Sequence, residues 1–223
     1  MTLRPAAHSE GETMTHLHRQ RIRQGIVATL TGVLVLPAMW AIGPATAKAA
    51  SDCTQTISGA HSGVLNVAGN QKLCLKNAVQ DGAVNVAPDG ALSVIGSTIT
   101  GAVTLKSGYS SLDFCASKTI RGALSATGAK GAVLVGSGDV SCPTNNIDGA
   151  VTLDANQGGV TLAQNYIAGA VTSSANLNGT VISGNRIAGA LTCTTNVPAP
   201  TNAGVTNSVG GGRSGQTCAV NTF

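Results

Sequence analysis

The amino-acid sequence predicts an all-β fold, a single-stranded parallel β-helix with about twenty residues in each coil. Three observations lead to this prediction: a repeat of fixed period, short strands bounded by Gly and Asn, and an unusual composition. Aromatic residues make up 2% and charged residues 10% of the chain, which contains 29 glycines. Since an average domain has about 25% charged residues, this composition favours thin layers of small and β-branched side chains.

The repeat is clearest in residues 145–153, 165–173 and 185–193, which share the pattern Asn-x-Ile-x-Gly-Ala-(Val/Leu)-Thr at offsets of twenty. Looser copies occur at residues 82–86, 101–105 and 122–126. Apolar and polar residues alternate within each copy, which predicts a strand of about four residues followed by a turn. No segment after Ala50 shows helical periodicity over three turns.

Stacking such coils about 4.8 Å apart places equivalent residues in columns. The predicted core columns are Ile147, Ile167 and Ile187, and Val151, Val171 and Leu191. Two predicted asparagine ladders, in which side-chain amides bond from coil to coil, are Asn145, Asn165 and Asn185, and Asn156, Asn176 and Asn196. Gly149, Gly169 and Gly189 would form a corner, either through a positive φ or through close backbone approach. The chain from Cys53 to Asn196 has room for about seven coils, a rod about 35 Å tall.

The N-terminal region has the parts of a secretory signal peptide. Arg19, Arg21 and Arg23 precede an apolar run at 25–42, and Ala-x-Ala sites predict cleavage after Ala49. An uncleaved membrane anchor is the alternative, but the run contains Gly and Pro and is marginal for the ~20 residues of a membrane span. No Arg-Arg pair supports a twin-arginine route. We therefore predict an extracellular protein, exported by the Sec route, with no membrane association after cleavage.

The sequence analysis thus divides the chain into three parts. Residues 1–49 are an N-terminal extension and signal peptide, residues 50–196 form the solenoid, and residues 197–223 are predicted to be an irregular C-terminal cap.

The mature chain contains six cysteines, and an even number in an exported protein indicates disulfides. Fifteen pairings are possible, but three intervals of 21, 27 and 25 residues are each about one coil long. This spacing favours in-order pairing that staples neighbouring coils: Cys53–Cys74, Cys115–Cys142 and Cys193–Cys218. Zinc is disfavoured because no Cys-x-x-Cys occurs and His61 is the one mature histidine. No metal or cofactor is predicted.

The C-terminal tail resembles that of a group of small secreted actinobacterial proteins of unknown function. Residues 189–202 read Gly-Ala-Leu-Thr-Cys-Thr-Thr-Asn-Val-Pro-Ala-Pro-Thr-Asn, and residues 213–218 end in Gly-Gln-Thr-Cys. The resemblance extends over about residues 145–218 and implies an exported β-solenoid without catalytic residues. The architecture also looks like that of bactofilins, which polymerise end to end but lack signal peptides and this cysteine set.

Charged residues offer little catalytic chemistry. From Ala50 onward the chain has eight Lys or Arg, seven Asp and no Glu, so no basic stripe suits a nucleic acid. A glycosidase needs two carboxylates about 5–10 Å apart, and Asp148 with Asp154 is the close pair near the best repeat. Asp113 and Asp139 could converge only through a longer coil. Lys118 and Arg121 form a compact basic pair that is typical of a solvated surface.

One outward column is regular, with Thr104, Thr152, Thr172 and Thr192 at equivalent positions beside a column of alanines. A threonine array suggests ice binding, although threonine also suits any exposed strand. We therefore predict a secreted, non-enzymatic structural or surface-presenting solenoid. A carbohydrate-active β-helix enzyme is the alternative, and an ice-binding solenoid is a minor one. Expected partners are further copies of the chain or cell-wall and other extracellular material.

Overall fold

The computed structural model describes residues 52–115, 119–137, 142 and 144–223. The predicted signal peptide and its cleavage site lie outside these residues. The described chain is all-β, and its parallel strands stack into a solenoid of about eight turns, as the strands of its 8-stranded sheet show. The predicted fold class is confirmed.

Each coil contributes strands to three faces. The first face contains β1 (Gln55–Ser62), β3 (Lys72–Asp81), β5 (Ala91–Ile95), β8 (Ser111–Cys115), β11 (Val133–Val135), β14 (Val160–Ala163) and β17 (Thr180–Ser183). The second contains β6 (Thr98–Ile99), β9 (Thr119–Ile120), β12 (Asn146–Ile147), β15 (Tyr166–Ile167), β18 (Arg186–Ile187) and β20 (Ser208–Val209). The third contains β2 (Leu65–Val67), β4 (Val84–Val86), β7 (Val103–Leu105), β10 (Leu124–Thr127), β13 (Val151–Asp154), β16 (Val171–Ser174), β19 (Leu191–Thr194) and β21 (Arg213–Ser214). Because β3 pairs with both β5 and β6, it passes from the first face to the second.

Apolar columns fill the space between the faces. Ile167 pairs with Ile147 below it and Ile187 above it, and Val171 pairs with Val151 and Leu191 in the same way. All six side chains are at most 1% exposed. Since burying a branched aliphatic side chain contributes about 1.5–3 kcal/mol, these columns are a main source of stability.

The glycine column marks the corner between the second and third faces. A Cβ atom on Gly169 would lie 2.5 Å from the backbone nitrogen of Ala150, and one on Gly189 would lie 2.6 Å from that of Ala170. Neither glycine has a positive φ. Close backbone approach is therefore the reason for glycine at these positions.

The solenoid continues past Asn196, where the sequence analysis places its end. Strand β20 pairs with β18, and β21 pairs with β19, which adds one coil to the predicted seven. The expectation of an irregular segment from residue 197 is wrong for this coil. Its equivalent positions are offset by 22 residues, as in Arg186↔Ser208 and Leu191↔Arg213, so the twenty-residue pattern does not find them. A short 3₁₀ helix, Gln216–Ala219, follows.

Three disulfides join neighbouring coils. The structure pairs Cys53 with Cys74, Cys115 with Cys142 and Cys193 with Cys218. These are the in-order pairs that the spacing predicts. They fasten the first coil, the last coil and the enlarged coil in which Leu124 pairs with Val151, an offset of 27 residues.

The two ends of the solenoid differ. At the C-terminal end Phe223 is 6% exposed and packs against the core, and its carbonyl oxygen accepts a hydrogen bond from the backbone of Asn207. At the N-terminal end strand β1 pairs with β3 alone among the described residues. One long edge of β1 therefore lacks a strand partner within the described part of the chain.

Candidate functional site

The asparagine ladders lie inside the solenoid. In the first ladder Asn145 Nδ2 donates to Asn165 Oδ1 over 2.7 Å, and Asn165 Nδ2 donates to Asn185 Oδ1 over 2.9 Å. In the second, Asn156 donates to Asn176 over 2.8 Å and Asn176 donates to the next amide over 2.9 Å. These amides are buried. They connect each coil to the next by side-chain hydrogen bonds.

Backbone groups complete the hydrogen bonding of each amide. Asn176 Nδ2 also donates to the carbonyl oxygen of Leu153, and its Oδ1 accepts a second bond from the backbone N–H of Asn156. Both donor hydrogens and the acceptor oxygen are therefore satisfied. Because an unsatisfied buried polar group is costly, this arrangement favours asparagine at each interior position of the ladder.

Different residues terminate the second ladder at its two ends. The Tyr109 hydroxyl donates to Asn156 Oδ1 over 3.1 Å, and Gln216 Oε1 accepts from Asn196 Nδ2 over 2.8 Å. Burial of Tyr109 raises the pKa of its hydroxyl, so it is a stable donor. Asn207 extends the first ladder by accepting from Asn185 over 2.9 Å. The twenty-residue pattern misses Asn207, although Asn-x-Val-x-Gly at 207–211 repeats the core motif.

The outward surface of the third face is rich in hydroxyl groups. The predicted threonine column is in register and continues through Ser125 and Ser214. A second outward column, two residues further along each strand, contains Thr127, Ser174 and Thr194. The sequence pattern indicates one column, because the outward position before it contains alanines. The second column lies on the other side, where Asp154 interrupts it.

The acidic residues named as catalytic candidates lie on different parts of the solenoid. Asp148 precedes β13 and Asp154 ends it, and the Asp154 carboxylate accepts a hydrogen bond from Ser174. Asp113 lies on β8, and Asp139 lies outside the described residues. Lys118 is also outside them, whereas Arg121 is exposed. Asp148 and Asp154 thus lie on either side of β13, and the pair of Asp113 with Asp139 lies partly outside the described residues.

Asp113 has a distinctive environment. Its carboxylate faces outward from the first face and accepts a hydrogen bond from Ser93, at a recess of about 20 Å³ that Lys72 also lines. Burial raises the pKa of Asp113, and the bond from Ser93 partly opposes that shift. A recess of this volume accommodates about one water molecule.

A surface depression lies at the corner between the first and second faces. It has a volume of about 430 Å³ and is lined by Thr144, Gln164, Asn165, Tyr166, Gly184, Arg186 and Val205. The Arg186 guanidinium carbon lies 5.7 Å from the centre of the Tyr166 ring. We call this depression the Arg186 groove.

Arg186 differs from the other described cations in its surroundings. The single ion pair among the described residues joins Lys130 and Asp89. Arg213 donates to the carbonyl oxygens of Asn207 and Phe223 at the C-terminal end. Arg186 instead lies over an aromatic ring, and no ion pair joins it to a carboxylate of the described residues.

Other types of site are not found in the described part of the chain. No group of three or more His, Cys, Asp or Glu there is arranged to hold a metal ion. Within the same residues no helix is long and apolar enough to cross a membrane.

Comparisons with known proteins supply no relative. No protein-family model, curated protein or solved structure matches this chain. Any function must therefore be argued from the residues themselves.

The sequence analysis did not identify the Arg186 groove. Tyr166 and Arg186 occupy the second position of the repeat, where the preceding copy has Asn146. That position faces outward and varies between copies. A large side chain at a variable outward position is the signal that could have indicated a surface site.

Proposed function

We propose that this protein is an exported, non-enzymatic structural solenoid that presents its outer faces to the extracellular environment. The observation that carries the proposal is the combination of continuous internal ladders with a disulfide on the first, the last and the enlarged coil. Solenoids expose unpaired strand edges at their ends and need protection there. A chain stabilised in this way suits a rigid rod outside the cell.

Export is supported by the disulfides, since these persist in oxidising compartments. Expression of the full chain in a secreting bacterial host, followed by fractionation and N-terminal sequencing, tests this part. We expect a medium or wall fraction whose N-terminus is Ala50. A cytoplasmic product with an intact N-terminus would contradict export.

The absence of catalysis requires its own test, because the fold alone does not distinguish structural from enzymatic roles. The purified protein should be incubated with pectin, alginate, chitin and peptidoglycan, and released sugars should be measured. Asp113 and Asp139 are the residues to replace, by Asn, if turnover is seen. Turnover that disappears in either variant would establish the carbohydrate-active alternative, whereas we expect none.

Association between copies is the partner relationship that the structure best supports, because the outer edge of β1 resembles an edge that accepts another strand. The backbone N–H of Gly63 donates to the carbonyl oxygen of Asp81 in β3. Along a parallel strand the backbone N–H groups of successive residues point alternately to its two neighbouring sides. The Ala60 N–H therefore points away from β3. Sedimentation velocity should show a dimer that Ala60→Pro converts to a monomer. A wild-type protein that is monomeric at all concentrations would exclude this mode.

Ice binding is a second candidate, favoured by the second hydroxyl column. Successive hydroxyl groups on this face are spaced about 4.8 Å between coils and about 6.6 Å along a strand. Thr172→Lys should reduce thermal hysteresis, whereas Thr161→Lys on the first face should not. Equal freezing and melting temperatures for the wild-type protein would eliminate this candidate.

A further inference from the structure

We propose that the Arg186 groove binds the anionic group, a carboxylate or a phosphate, of an extracellular glycan. Arg186 would bind the charge, and the Thr144 hydroxyl would contact a sugar hydroxyl. The inference does not depend on the structural role proposed above, because a groove of this kind could serve any exported solenoid.

The shape of the groove depends on Gly184. This residue has a φ of +62°, and a Cβ atom there would lie 3.1 Å from Val205 Cγ1 and 3.6 Å from Gln164 Cγ. The coil below has Gln164 with a φ of 54°. A glycine between two larger side chains leaves a notch at the corner. The volume of about 430 Å³ falls within the range of about 300–1,000 Å³ that is usual for small-molecule sites.

The electrostatics of the groove favour an anion. The guanidinium carbon of Arg186 lies over the Tyr166 ring, 5.7 Å from its centre, and a cation–π contact of this kind uses none of the hydrogen-bond donors of the arginine. No carboxylate of the described residues forms an ion pair with it. The parallel N–H donors of a guanidinium match the paired oxygens of a carboxylate or phosphate.

The remaining lining identifies the larger ligand. Thr144 offers a hydroxyl group, while Val205 and the Tyr166 ring offer apolar surface. Sugar rings present both hydroxyl groups and apolar C–H faces. A nucleic acid would require several cations along its backbone, and the lining contains one. An acidic or phosphate-bearing glycan fits this combination best.

Isothermal titration of the purified full-length protein tests the proposal with three probes. These are a short oligogalacturonate, its fully methyl-esterified form and a glycerol-phosphate oligomer. We expect binding of at least one anionic oligomer, weakening as salt is added, and no binding of the ester. Carboxylate binding alone would indicate a uronate polymer and phosphate binding alone a phosphodiester polymer, and either result supports the site.

Three variants locate the binding. Arg186→Gln should weaken it about ten- to hundredfold, the usual effect of losing a charged hydrogen bond. Gly184→Gln introduces the side chain that the coil below already carries and should abolish binding by filling the notch. Arg121→Gln is the matched control, because it removes the same charge from an exposed site outside the groove.

Several outcomes would overturn the inference. They are failure to bind either anionic oligomer, equal binding of the esterified oligomer, and an equal loss in Arg121→Gln and Arg186→Gln. If Gly184→Gln alters the far-UV circular dichroism, the Arg186→Gln result decides. None of these outcomes bears on export or on the catalytic screen, so the two proposals fail separately.

Discussion

Replacement of Asn176 by Leu tests the energetic role of the buried ladders. Asn176 Oδ1 accepts bonds from Asn156 Nδ2 and from the Asn156 backbone N–H, over 2.8 and 3.1 Å. Leucine is close in volume but accepts neither bond, so two buried donors lose their partner. At about 1–3 kcal/mol for each orphaned donor, the expected loss is about 2–6 kcal/mol. Total stability is usually about 5–15 kcal/mol, so this single change removes a large part of it.

Equilibrium urea unfolding with the disulfides intact, followed by circular dichroism, provides the measurement. Asn85→Leu is the control, because Asn85 Nδ2 donates to Asn66 Oδ1 over 3.1 Å on the exposed surface of the third face. We expect this variant to lose less than about 0.5 kcal/mol, as is usual for surface substitutions. Equal losses in the two variants would show that burial of the ladder has no special role.

Three further predictions concern the core, a carboxylate and a disulfide. Ile167→Asp should be far more destabilising than Thr172→Asp in thermal melts, because it places an unpaired charge in a dry column; the reverse order would refute the assignment of inner and outer positions. The raised pKa of Asp113 means that the folded state holds this proton more tightly than the unfolded state. The free energy of unfolding therefore decreases as the pH rises from the unfolded-state pKa to the higher folded-state pKa. Asp113→Asn should therefore increase the unfolding free energy at pH 7 but not below about pH 3.9, the ordinary Asp value; an equal gain at both pH values would exclude titration as the cause. Replacement of Cys193 and Cys218 by Ala should lower the unfolding free energy by about 3 kcal/mol and increase proteolysis near the C-terminus, and unchanged resistance to proteolysis would show that the staple is dispensable.

The central coils could be predicted from the sequence because their inner positions repeat at a constant offset. Ile147, Ile167 and Ile187 are interchangeable in packing, and each alternates with outward residues. Alternation and period together specify which side chains are buried. The disulfide pairing could be predicted for the same reason, since an interval of about one coil brings two cysteines together.

The last coil could not be predicted in this way. Arg213 stands where the coil below has Leu191, so the apolar signature of the strand is lost. Its guanidinium instead bonds to carbonyl oxygens at the end of the solenoid. The residue at this position is therefore determined by the end of the solenoid, where carbonyl oxygens need a donor, and not by the packing of the repeat.

The Arg186 groove depends on long-range geometry that the period does not contain. Val205 belongs to the coil that the pattern missed, and Gly184 matters only because Gln164 and Val205 lie on either side of it. Each residue is unremarkable in the sequence. The groove is formed when three successive coils meet at one corner, so the structure is needed to find it.

The asparagine ladders also give the solenoid a direction. Backbone N–H groups bond in both senses along the axis: Val151 donates to Ala170 in the next coil, whereas Ala168 donates to Ile147 in the previous one. Their axial dipoles largely cancel, as is general in sheets. The amide-to-amide bonds of both ladders all run towards the C-terminal end, while the second hydrogen of an amide donates to a carbonyl oxygen of the preceding coil, as from Asn176 to Leu153. Bonds aligned in this way polarise one another. The sense of the amide-to-amide bonds therefore gives the rod a direction along its axis, although its coils repeat.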